Sequence, residues 1–371
     1  MKICIHRGTD CIGGCVTQLA TETTRILIDF GEQLPEAPKK PLTVDALDEI
    51  DAVFFTHYHG DHIGLLEELP PHIPVYLGET ASEIYRHHAA RLHLHGADRL
   101  RSLRALEPVQ VGDMTILPIP ADHSAYDAFM YLVTAGGKSV LHTGDFRLHG
   151  FRGKATWKLL AKYAPQVDLL ICEGTKIQGA RGHSEWEVQQ DLKQVIAQHK
   201  YVFILCSSTN IDRLASIYHV VPQGRYFLCD AYQKDILQSV EAQAFSPWYR
   251  FPKALTPGEN LKLRERGFVM AVRANRDFAK WMEQFPDSVL VYSMWPGYLD
   301  GRAPTIEAFV RHHAESGRMI HLHASGHAPG EDLLELCKRV SPKLGVLPIH
   351  TQWPQAFPNG ICLKDGETLT I

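Results

Sequence analysis

The chain has 371 residues, of which 45% are hydrophobic and 22% are charged, and this length and balance predict two soluble globular domains. The formal net charge of −4 excludes nucleic-acid binding through bulk positive charge, so any nucleic-acid site must be local. No apolar run approaches about 18 residues, and the first residues turn polar at once. We therefore expect no transmembrane helix and no signal peptide, while eight scattered cysteines that are typical of reduced thiols predict a cytoplasmic location.

Eight cysteines are spread along the chain, which is typical of reduced thiols rather than of a disulfide framework. Several lie in apolar, strand-like runs, as Cys172 does, where a cysteine is usually a small buried hydrophobic residue. Cys4, Cys11 and Cys15 lie closer together, but their spacing fits no standard zinc knuckle. We expect no metal site from these three residues alone.

The first half of the chain begins with short strand-like pieces separated by turns at Gly13-Gly14 and at 21–23. A short apolar run then ends at a cluster of His and Asp residues, which is typical of a buried strand that delivers side chains at its end. The elements predicted in this half are strands at 2–5, 15–20, 24–29 and 51–56, a helix at 79–92, and strands at 114–119, 128–134 and 138–143.

After about residue 180 apolar strands alternate with helical stretches, which predicts βαβ units and a parallel sheet. The predicted strands lie at 201–206, 225–230, 267–272 and 288–293, and the predicted helices lie near 210–219, 231–243, 274–284 and 303–316. A strand at 319–324, a helix at 330–339 and a strand at 344–349 follow. The last residues, 361–371, predict a hairpin that turns at Asp365-Gly366.

The strongest motif lies directly after the predicted strand at 51–56. Four potential metal ligands fall within six residues there: His57, His59, Asp61 and His62. Side-chain alternation puts His57 and His59 on one side of the extended segment, while the next two come where the chain turns and can face a second ion. Imidazole and carboxylate suit Zn²⁺, with Mn²⁺ as the alternative where oxygen ligands dominate. A polar, His-rich surface loop is the other interpretation.

Three further candidate ligands each follow a predicted strand elsewhere in the chain: His123, Asp145 and His350. A strand end is the usual place for a ligand on a rigid scaffold. Any one of the three alone would more often be structural. Together with the four residues of the motif they complete two ligand sets, so we predict two divalent metal ions per chain.

The order of these ligands resembles that of the metallo-β-lactamase superfamily. The resemblance implies that three histidines hold one ion: His57, His59 and His123. It implies that Asp61, His62 and His350 hold the other ion, with Asp145 bridging the two.

The rest of the chain resembles the β-CASP branch of that superfamily, and ribonuclease J-type nucleases in particular. The strand–helix insert falls between Asp145 and His350, where that branch carries an extra domain. Glu173 matches the acidic residue of the branch at a strand end, although alone it would be an ordinary carboxylate. His323-Ala-Ser-Gly-His-Ala and Ser208-Thr-Asn-Ile-Asp-Arg match two further segments, although a plain helix N-cap explains the second equally well.

The resemblance implies an α/β fold class. We expect a metallo-β-lactamase αββα sandwich formed by residues 1–180 and 318–371, a discontinuous domain. Residues 181–317 would form an inserted β-CASP-like parallel α/β domain.

The resemblance also implies chemical roles. Asp61 would orient the attacking water besides binding an ion, and His327 would protonate the leaving oxygen. Glu173 would fix the orientation of an imidazole. Five residues would form a pocket for a terminal 5′-phosphate, for which a helix start and a guanidinium are suited: Thr209, Asn210, Arg213, His323 and Ser325.

These features predict a two-metal phosphodiester hydrolase that acts on nucleic acid, with RNA favoured over single-stranded DNA. The alternatives are a DNA exonuclease of the same branch, a small-molecule hydrolase of thioesterase or lactonase type, and a non-enzymatic nucleic-acid-binding subunit. The arginine-rich segment 86–104 is a candidate phosphate-tracking surface or a solvated helix face. Trp295 and Tyr298 are candidates for base stacking or for packing between domains.

Overall fold

The computed structural model describes the whole chain except residues 36, 38–39, 41, 43, 45–46 and 259–260. The described chain divides into two compact units. The first unit consists of Met1–Gly182 together with Gly326–Ile371, and the second unit is the segment His183–Ser325. Among the described residues, no helix is both long enough and apolar enough to cross a membrane.

The strands of the first 182 residues are short and mostly buried. In chain order the elements are β1 (Lys2–Arg7), β2 (Val16–Ala20), β3 (Arg25–Ile28), β4 (Ala52–Phe54), α1 (Gly60–Ile63), β5 (Val75–Gly78), α2 (Glu79–Leu92), β6 (Leu100–Leu103), β7 (Val109–Val111), β8 (Met114–Ala121), β9 (Ala128–Ala135), β10 (Lys138–His142), α3 (Gly153–Tyr163) and β11 (Leu169–Glu173).

Helices and strands alternate through the second unit and continue into the end of the chain. The second unit contains α4 (Glu185–Gln198), β12 (Tyr201–Leu205), α5 (Ile211–Val220), β13 (Tyr226–Leu228), α6 (Ala231–Gln243), β14 (Ala254–Leu255), α7 (Leu263–Arg266), β15 (Phe268–Val272), α8 (Arg276–Glu283), β16 (Val289–Tyr292), α9 (Pro304–Glu315) and β17 (Met319–His321). The first unit then resumes with α10 (Gly330–Val340), β18 (Gly345–Ile349) and β19 (Thr368–Thr370).

Two sheets face each other in the first unit. One has the order β19-β1-β2-β3-β4-β5-β6 and the other has the order β18-β11-β10-β9-β8-β7. Ile28 and Phe54 of the first sheet join Tyr131 and Ile171 of the second in one core. All four are fully buried, and burial of a large apolar side chain contributes about 1.5–3 kcal/mol.

Helices cover the sandwich on its outer faces. Leu160 of α3 and Leu333 of α10 pack with Leu141 and Leu170, which lie on the face of the second sheet opposite to the shared core. Helix α2 lies against β5 and β6 of the first sheet. The layer order is therefore helix, sheet, sheet, helix, and the predicted αββα sandwich is confirmed.

The second unit is built on one sheet with the order β14-β13-β15-β12-β16-β17, and each neighbouring pair in it is parallel. Phe203, Met270 and Leu290 form part of its core. Parallel neighbours need crossover connections, and the helices between the strands supply them. The predicted inserted parallel α/β fold is confirmed.

Several elements were not predicted from sequence, among them β5, β6, β7 and α3, and three further differences concern the ends of the two units. The strand predicted at 319–324 is β17, which pairs with β16 in the second unit, so the first unit resumes at Gly326 rather than at residue 318. The hairpin predicted at 361–371 is wrong, because β19 pairs with β1 at the sheet edge instead. Helix α4 was missed, although Ser184 and Glu187 form a capping box at its start, which is a readable helix signal.

Candidate metal centre

Five segments of the first unit meet just after the ends of β4, β8, β10, β11 and β18. Strands β10, β11 and β18 are parallel, so their carboxyl ends lie at the same edge of the sheet. Strand β8 runs in the same direction as β10, because both are antiparallel to β9. This edge brings together all seven predicted metal ligands: His57, His59, Asp61, His62, His123, Asp145 and His350.

The first ligand group consists of three imidazoles, those of His57, His59 and His123. Nδ1 of His59 lies 3.0 Å from Nε2 of His57 and 3.2 Å from Nε2 of His123. Imidazole nitrogens around one tetrahedral zinc ion are about 3.3 Å apart, because each Zn–N bond is about 2.0–2.1 Å long. The three nitrogens therefore converge as the ligands of a single ion do.

The second ligand group surrounds the carboxylate of Asp145. Its Oδ2 lies 3.2 Å from Nε2 of His62 and 3.8 Å from Nε2 of His350. Asp61 joins this group, since its Oδ2 lies 3.1 Å from Nε2 of His350. The same Asp145 oxygen is 3.9 Å from Nε2 of His57 in the first group. One carboxylate thus lies between two sets of ligand atoms.

Two buried atoms of the cluster make no well-aligned hydrogen bond: Nε2 of His62, whose 3.2 Å contact with Asp145 has poor hydrogen-bond geometry, and Oδ1 of Asp145. Both residues are at most 2% exposed. An unsatisfied buried polar atom costs about 1–3 kcal/mol. A divalent cation would satisfy both atoms, and a donor set of imidazole and carboxylate suits zinc. The residues present therefore fit a metal centre.

The outward-facing nitrogens of the histidines are held by neighbouring groups. Nδ1 of His62 lies 2.8 Å from Oδ2 of the buried Asp29, and Nδ1 of His350 lies 2.6 Å from Oγ1 of Thr175. Nδ1 of His123 lies 2.6 Å from the carbonyl oxygen of Gly326. Such contacts fix which nitrogen carries the proton and leave Nε2 free to bind an ion.

Asp29 and Thr175 were not among the residues predicted from sequence. Asp29 directly follows β3 and Thr175 comes two residues after β11. A polar residue just past a buried strand was a usable signal in both cases, because it was the signal that identified the ligands themselves.

The backbone beneath the metal motif is closely packed. A Cβ atom on Gly31 would lie 1.8 Å from the carbonyl oxygen of Asp61, so a larger residue would displace the motif. His350 has a φ of 52°, in the left-handed region that non-glycine residues rarely adopt, and its N–H donates to the carbonyl of Gly8 at 2.7 Å. Strain of this kind costs about 1–3 kcal/mol and is typical of functional positions.

Burial sets the protonation of the first ligand group. It lowers the pKa of His57 and His123 well below the usual value, with neighbouring imidazoles adding to the effect, and it lowers the pKa of His59 to about 4. Burial raises the pKa of Asp145, but the histidines around it outweigh burial and hold the pKa well below its ordinary value. Neutral imidazoles and an ionised carboxylate are the forms that bind divalent ions.

His327 lies beside the cluster and contacts a buried carboxylate. Its Nδ1 lies 3.2 Å from Oε1 of Glu173 and 3.7 Å from Oδ2 of Asp145. Glu173 is fully buried, and it accepts from the backbone N–H groups of Phe146 and Thr175. Burial lowers the pKa of His327, but Glu173 and Asp145 outweigh burial and raise the pKa to about 9. The contact between Nδ1 and Oε1 of Glu173 orients the ring.

The five residues predicted to bind a 5′-phosphate all lie in the second unit. Asn210 is the N-cap of α5, and its side chain accepts from the backbone N–H of Arg213 at 3.1 Å. The hydroxyl of Thr209 lies 3.1 Å from that of Ser207. His323 is largely buried, and burial with the nearby Arg213 lowers its pKa to about 3.

Arg213 has another partner. Its guanidinium is fully buried and pairs with both carboxylate oxygens of Glu185, each at 2.9 Å, and it also donates to Ser293. A guanidinium enclosed in this way offers no accessible donors to a phosphate, because its donor groups lie inside the unit. The geometry therefore does not support the phosphate-binding role predicted for Arg213.

The arginine-rich segment 86–104 is only partly available as a surface. Arg99 donates to the backbone carbonyls of Leu69, Pro70 and Ile73, and Arg86 donates to that of Leu100. At least two of its arginines therefore form structural hydrogen bonds within the first unit. The aromatic pair of Trp295 and Tyr298 in the second unit is partly exposed, with ring centroids 5.4 Å apart.

Two known domains match this chain. A beta-lactamase superfamily domain matches residues 24–204, which include six of the seven clustered ligand residues. A Zn-dependent metallo-hydrolase RNA specificity domain matches residues 316–357, which include His327 and His350. Both matches support a place in the metallo-β-lactamase superfamily, in its β-CASP, ribonuclease J-like branch.

Curated relatives support the same β-CASP assignment. Ribonuclease J of Mycobacterium tuberculosis is 27% identical over 342 residues, which cover 83% of this chain and 60% of that protein. The DNA cross-link repair protein pso2/snm1 of Schizosaccharomyces pombe is 29% identical over 117 residues, which cover 29% of this chain and 20% of that protein. The chain thus spans less than two thirds of the length of the curated relatives it matches.

A solved structure shares the fold along the whole chain. A protein of unknown function from Enterococcus faecalis superposes with a TM-score of 0.81 at 22% identity, and the match covers 100% of this chain and 99% of that chain. At this identity the likeness supports the fold and carries no conclusion about activity.

Proposed function

We propose that this protein is a metal-dependent hydrolase that cleaves phosphodiester bonds in nucleic acid, with RNA as the favoured substrate. The matched RNA specificity domain and the similarity to ribonuclease J support this proposal. The similarity to pso2/snm1 supports a nucleic-acid substrate and keeps a DNA exonuclease as the second candidate.

The proposal includes two divalent ions, with zinc as the favoured metal and manganese as the alternative. His57, His59 and His123 would hold one ion and Asp61, His62 and His350 the other, with Asp145 between them. Two such ions would supply a nucleophilic water at neutral pH and charge neutralisation at the phosphate. The support is the convergence of ligand atoms and the two unpaired buried atoms described above.

The remaining chemistry falls to side chains of the chain itself. Asp61 would orient the attacking water, since its carboxylate lies at the edge of the second ligand group. His327 would deliver a proton to the leaving oxygen of the phosphodiester. Glu173 would keep the His327 ring in position by accepting from its Nδ1–H, which leaves Nε2 as the atom that faces the substrate.

The pair of His327 and Glu173 is the observation that carries the nuclease proposal. It places an imidazole that Glu173 orients through Nδ1 within 3.7 Å of the carboxylate that lies between the ligand groups. Expulsion of a ribose or deoxyribose oxygen gains about 10²–10⁴-fold from a general acid, whereas the thiolate expelled from a thioester leaves without protonation.

A terminal 5′-phosphate site remains a prediction for four residues of the second unit: Thr209, Asn210, His323 and Ser325. Base stacking on Trp295 and Tyr298 and a cytoplasmic location also remain predictions. Each can be tested once the substrate class is known.

Product analysis with labelled substrates tests the proposal. Protein purified without chelators would be incubated with 3′-labelled RNA and single-stranded DNA, each with and without a 5′-phosphate. We expect hydrolysis of RNA at a greater rate than of DNA, and no hydrolysis by Asp145→Ala. Faster hydrolysis of DNA would favour the second candidate.

A parallel assay separates the nuclease from a small-molecule hydrolase of the same fold. A generic phosphodiester and a thioester would be offered to the same preparation. Thioester turnover that needs Asp145, without any phosphodiester cleavage, would overturn the proposal. Binding of nucleic acid without any hydrolysis by metal-loaded protein would overturn it in favour of a non-enzymatic subunit.

A further inference from the structure

A buried thiol lies beside the second ligand group. The sulfur of Cys15 and one ring nitrogen each of His62 and His350 all lie within 4.8 Å of one another. Cys15 is 1% exposed and belongs to no disulfide. A cysteine at this place has the same two histidine neighbours as the ion proposed for this group.

The backbone around Cys15 is tied to the metal motif. Its N–H donates to the carbonyl of Asp61 at 3.1 Å, and its own carbonyl accepts from Gly31 at 3.1 Å. The buried Arg7 guanidinium donates to the carbonyls of Gly14 and Gly31 on either side. The thiol is therefore fixed at the ligand group by the same segments that position Asp61.

A second, independent feature points to a ligand at this place. Nε2 of His62 and Oδ1 of Asp145 are buried without a well-aligned hydrogen bond. Both atoms belong to the ligand group that Cys15 adjoins, and a cation bound there would deprotonate a cysteine that it contacts.

We propose that Cys15 is a further protein ligand, bound through sulfur, of the ion held by Asp61, His62 and His350. This inference rests on the metal centre of the proposed function and adds to it a residue that sequence spacing did not indicate. Binding replaces the S–H bond with a sulfur–metal bond, and the proton passes to solvent.

The consequence is selectivity between metals. Thiolate ligands favour zinc, whereas carboxylate and water ligands suit manganese and magnesium. With sulfur in the second ligand group, the protein should prefer zinc there more strongly than a site of imidazole and carboxylate alone would. Replacing the sulfur with oxygen should weaken that preference.

Cobalt substitution tests for a bond between the Cys15 sulfur and the metal without any substrate. Co²⁺ would replace the native metal in the full chain, and absorption would be recorded in the near ultraviolet, where sulfur-to-cobalt charge transfer occurs. We expect this absorption in the wild type and in Cys11→Ser, and its loss in Cys15→Ser. Cys11 is the matched control, because it is a buried cysteine of the same segment that joins none of the ligand groups.

Metal competition gives a second measurement. Zinc and manganese affinities would be measured against a chelator for wild type, Cys15→Ser and Cys15→Ala. We expect zinc affinity to fall by about tenfold or more in both variants while manganese affinity changes less. Unchanged charge-transfer absorption in folded Cys15→Ser, or equal losses of zinc and manganese affinity, would overturn the inference.

The outcomes separate this inference from the proposed function. A cobalt-loaded protein that cleaves RNA without charge-transfer absorption would disprove the sulfur ligand and leave the nuclease proposal intact. A protein with the absorption but without any phosphodiesterase activity would support the sulfur ligand and count against the nuclease.

Discussion

Two buried polar clusters of this protein differ in how their charges are satisfied. In the second unit, Arg213 and Glu185 are both fully buried and satisfy each other through two bonds of 2.9 Å. In the first unit, His62 and Asp145 are at most 2% exposed, yet Nε2 of His62 and Oδ1 of Asp145 make no well-aligned hydrogen bond. The Arg213–Glu185 pair is therefore complete without a ligand, whereas the histidine–aspartate cluster has atoms that a ligand would satisfy.

The comparison shows that burial of a charged residue does not by itself indicate function. Arg213 fits a phosphate pocket by residue type, yet its donors are used inside the fold. A buried ion pair is costly to break but carries no requirement for a further ligand. Unpaired atoms that converge within about 3–4 Å are the feature that separates a binding site from internal structure, and four predictions test this distinction.

The largest effect is expected at Asp145. Asp145→Ala should lower phosphodiesterase activity to background and leave fewer than two metal equivalents, because the carboxylate compensates charge at both ions. Elemental analysis of protein purified without chelator, alongside turnover, measures both. Full metal content with near-normal turnover in the variant would remove Asp145 from its proposed place between the ions.

His327 and His350 should separate proton delivery from metal binding. His327→Ala should lose about 10²–10⁴-fold in turnover while it keeps both metals, whereas His350→Ala should lose metal as well as activity. Turnover, metal content and melting temperature would be measured on both variants. Normal turnover by folded His327→Ala protein on RNA and DNA would refute the acid role.

Glu173→Gln tests whether Glu173 positions the His327 ring. This variant should lower kcat more than it changes KM.

The Arg213–Glu185 pair should behave as internal structure. Arg213→Met should lower the free energy of unfolding by about 3–5 kcal/mol, because it leaves Glu185 charged and buried without its partner. The double variant Arg213→Met/Glu185→Leu should recover most of that loss, and metal content per folded molecule should stay at the wild-type value. Equilibrium denaturation measures the loss.

A different result at this pair would show that it is a binding site rather than internal structure. If Arg213→Met folded as stably as the wild type and lost its preference for 5′-phosphorylated RNA, Arg213 would belong to a phosphate site after all.

The smallest effect is expected at Asp29, which contacts the predicted metal ligand His62 and lies outside the predicted ligand set. Asp29→Asn should lower zinc affinity by about 10–100-fold and leave the number of bound ions unchanged at saturating zinc. Chelator competition measures this. Asp113→Asn is a suitable control, because that carboxylate bonds to Thr21 far from the ligand groups. Equal affinities for Asp29→Asn and the control would show that the contact has no influence on the ion.

The sequence was sufficient to predict the candidate ligand residues and the fold class of this protein. His57, His59, Asp61 and His62 are adjacent in the chain, and the strands before them are recognisable from apolar runs, so local pattern was sufficient. The alternation of strands and helices after residue 180 likewise predicted the parallel sheet of the second unit, because βαβ connections follow from local rhythm.

The tertiary structure decided which distant groups meet. His350 contacts Asp61 across 289 positions of the chain, Cys15 reaches the same ligand group, and Arg213 finds Glu185 rather than solvent. Strand β17 joins the second unit, and β19 adds to the edge at β1, through pairing that no local pattern encodes. Such contacts depend on how strands far apart in sequence are brought side by side, and residue type alone leaves several partners open for each buried charge.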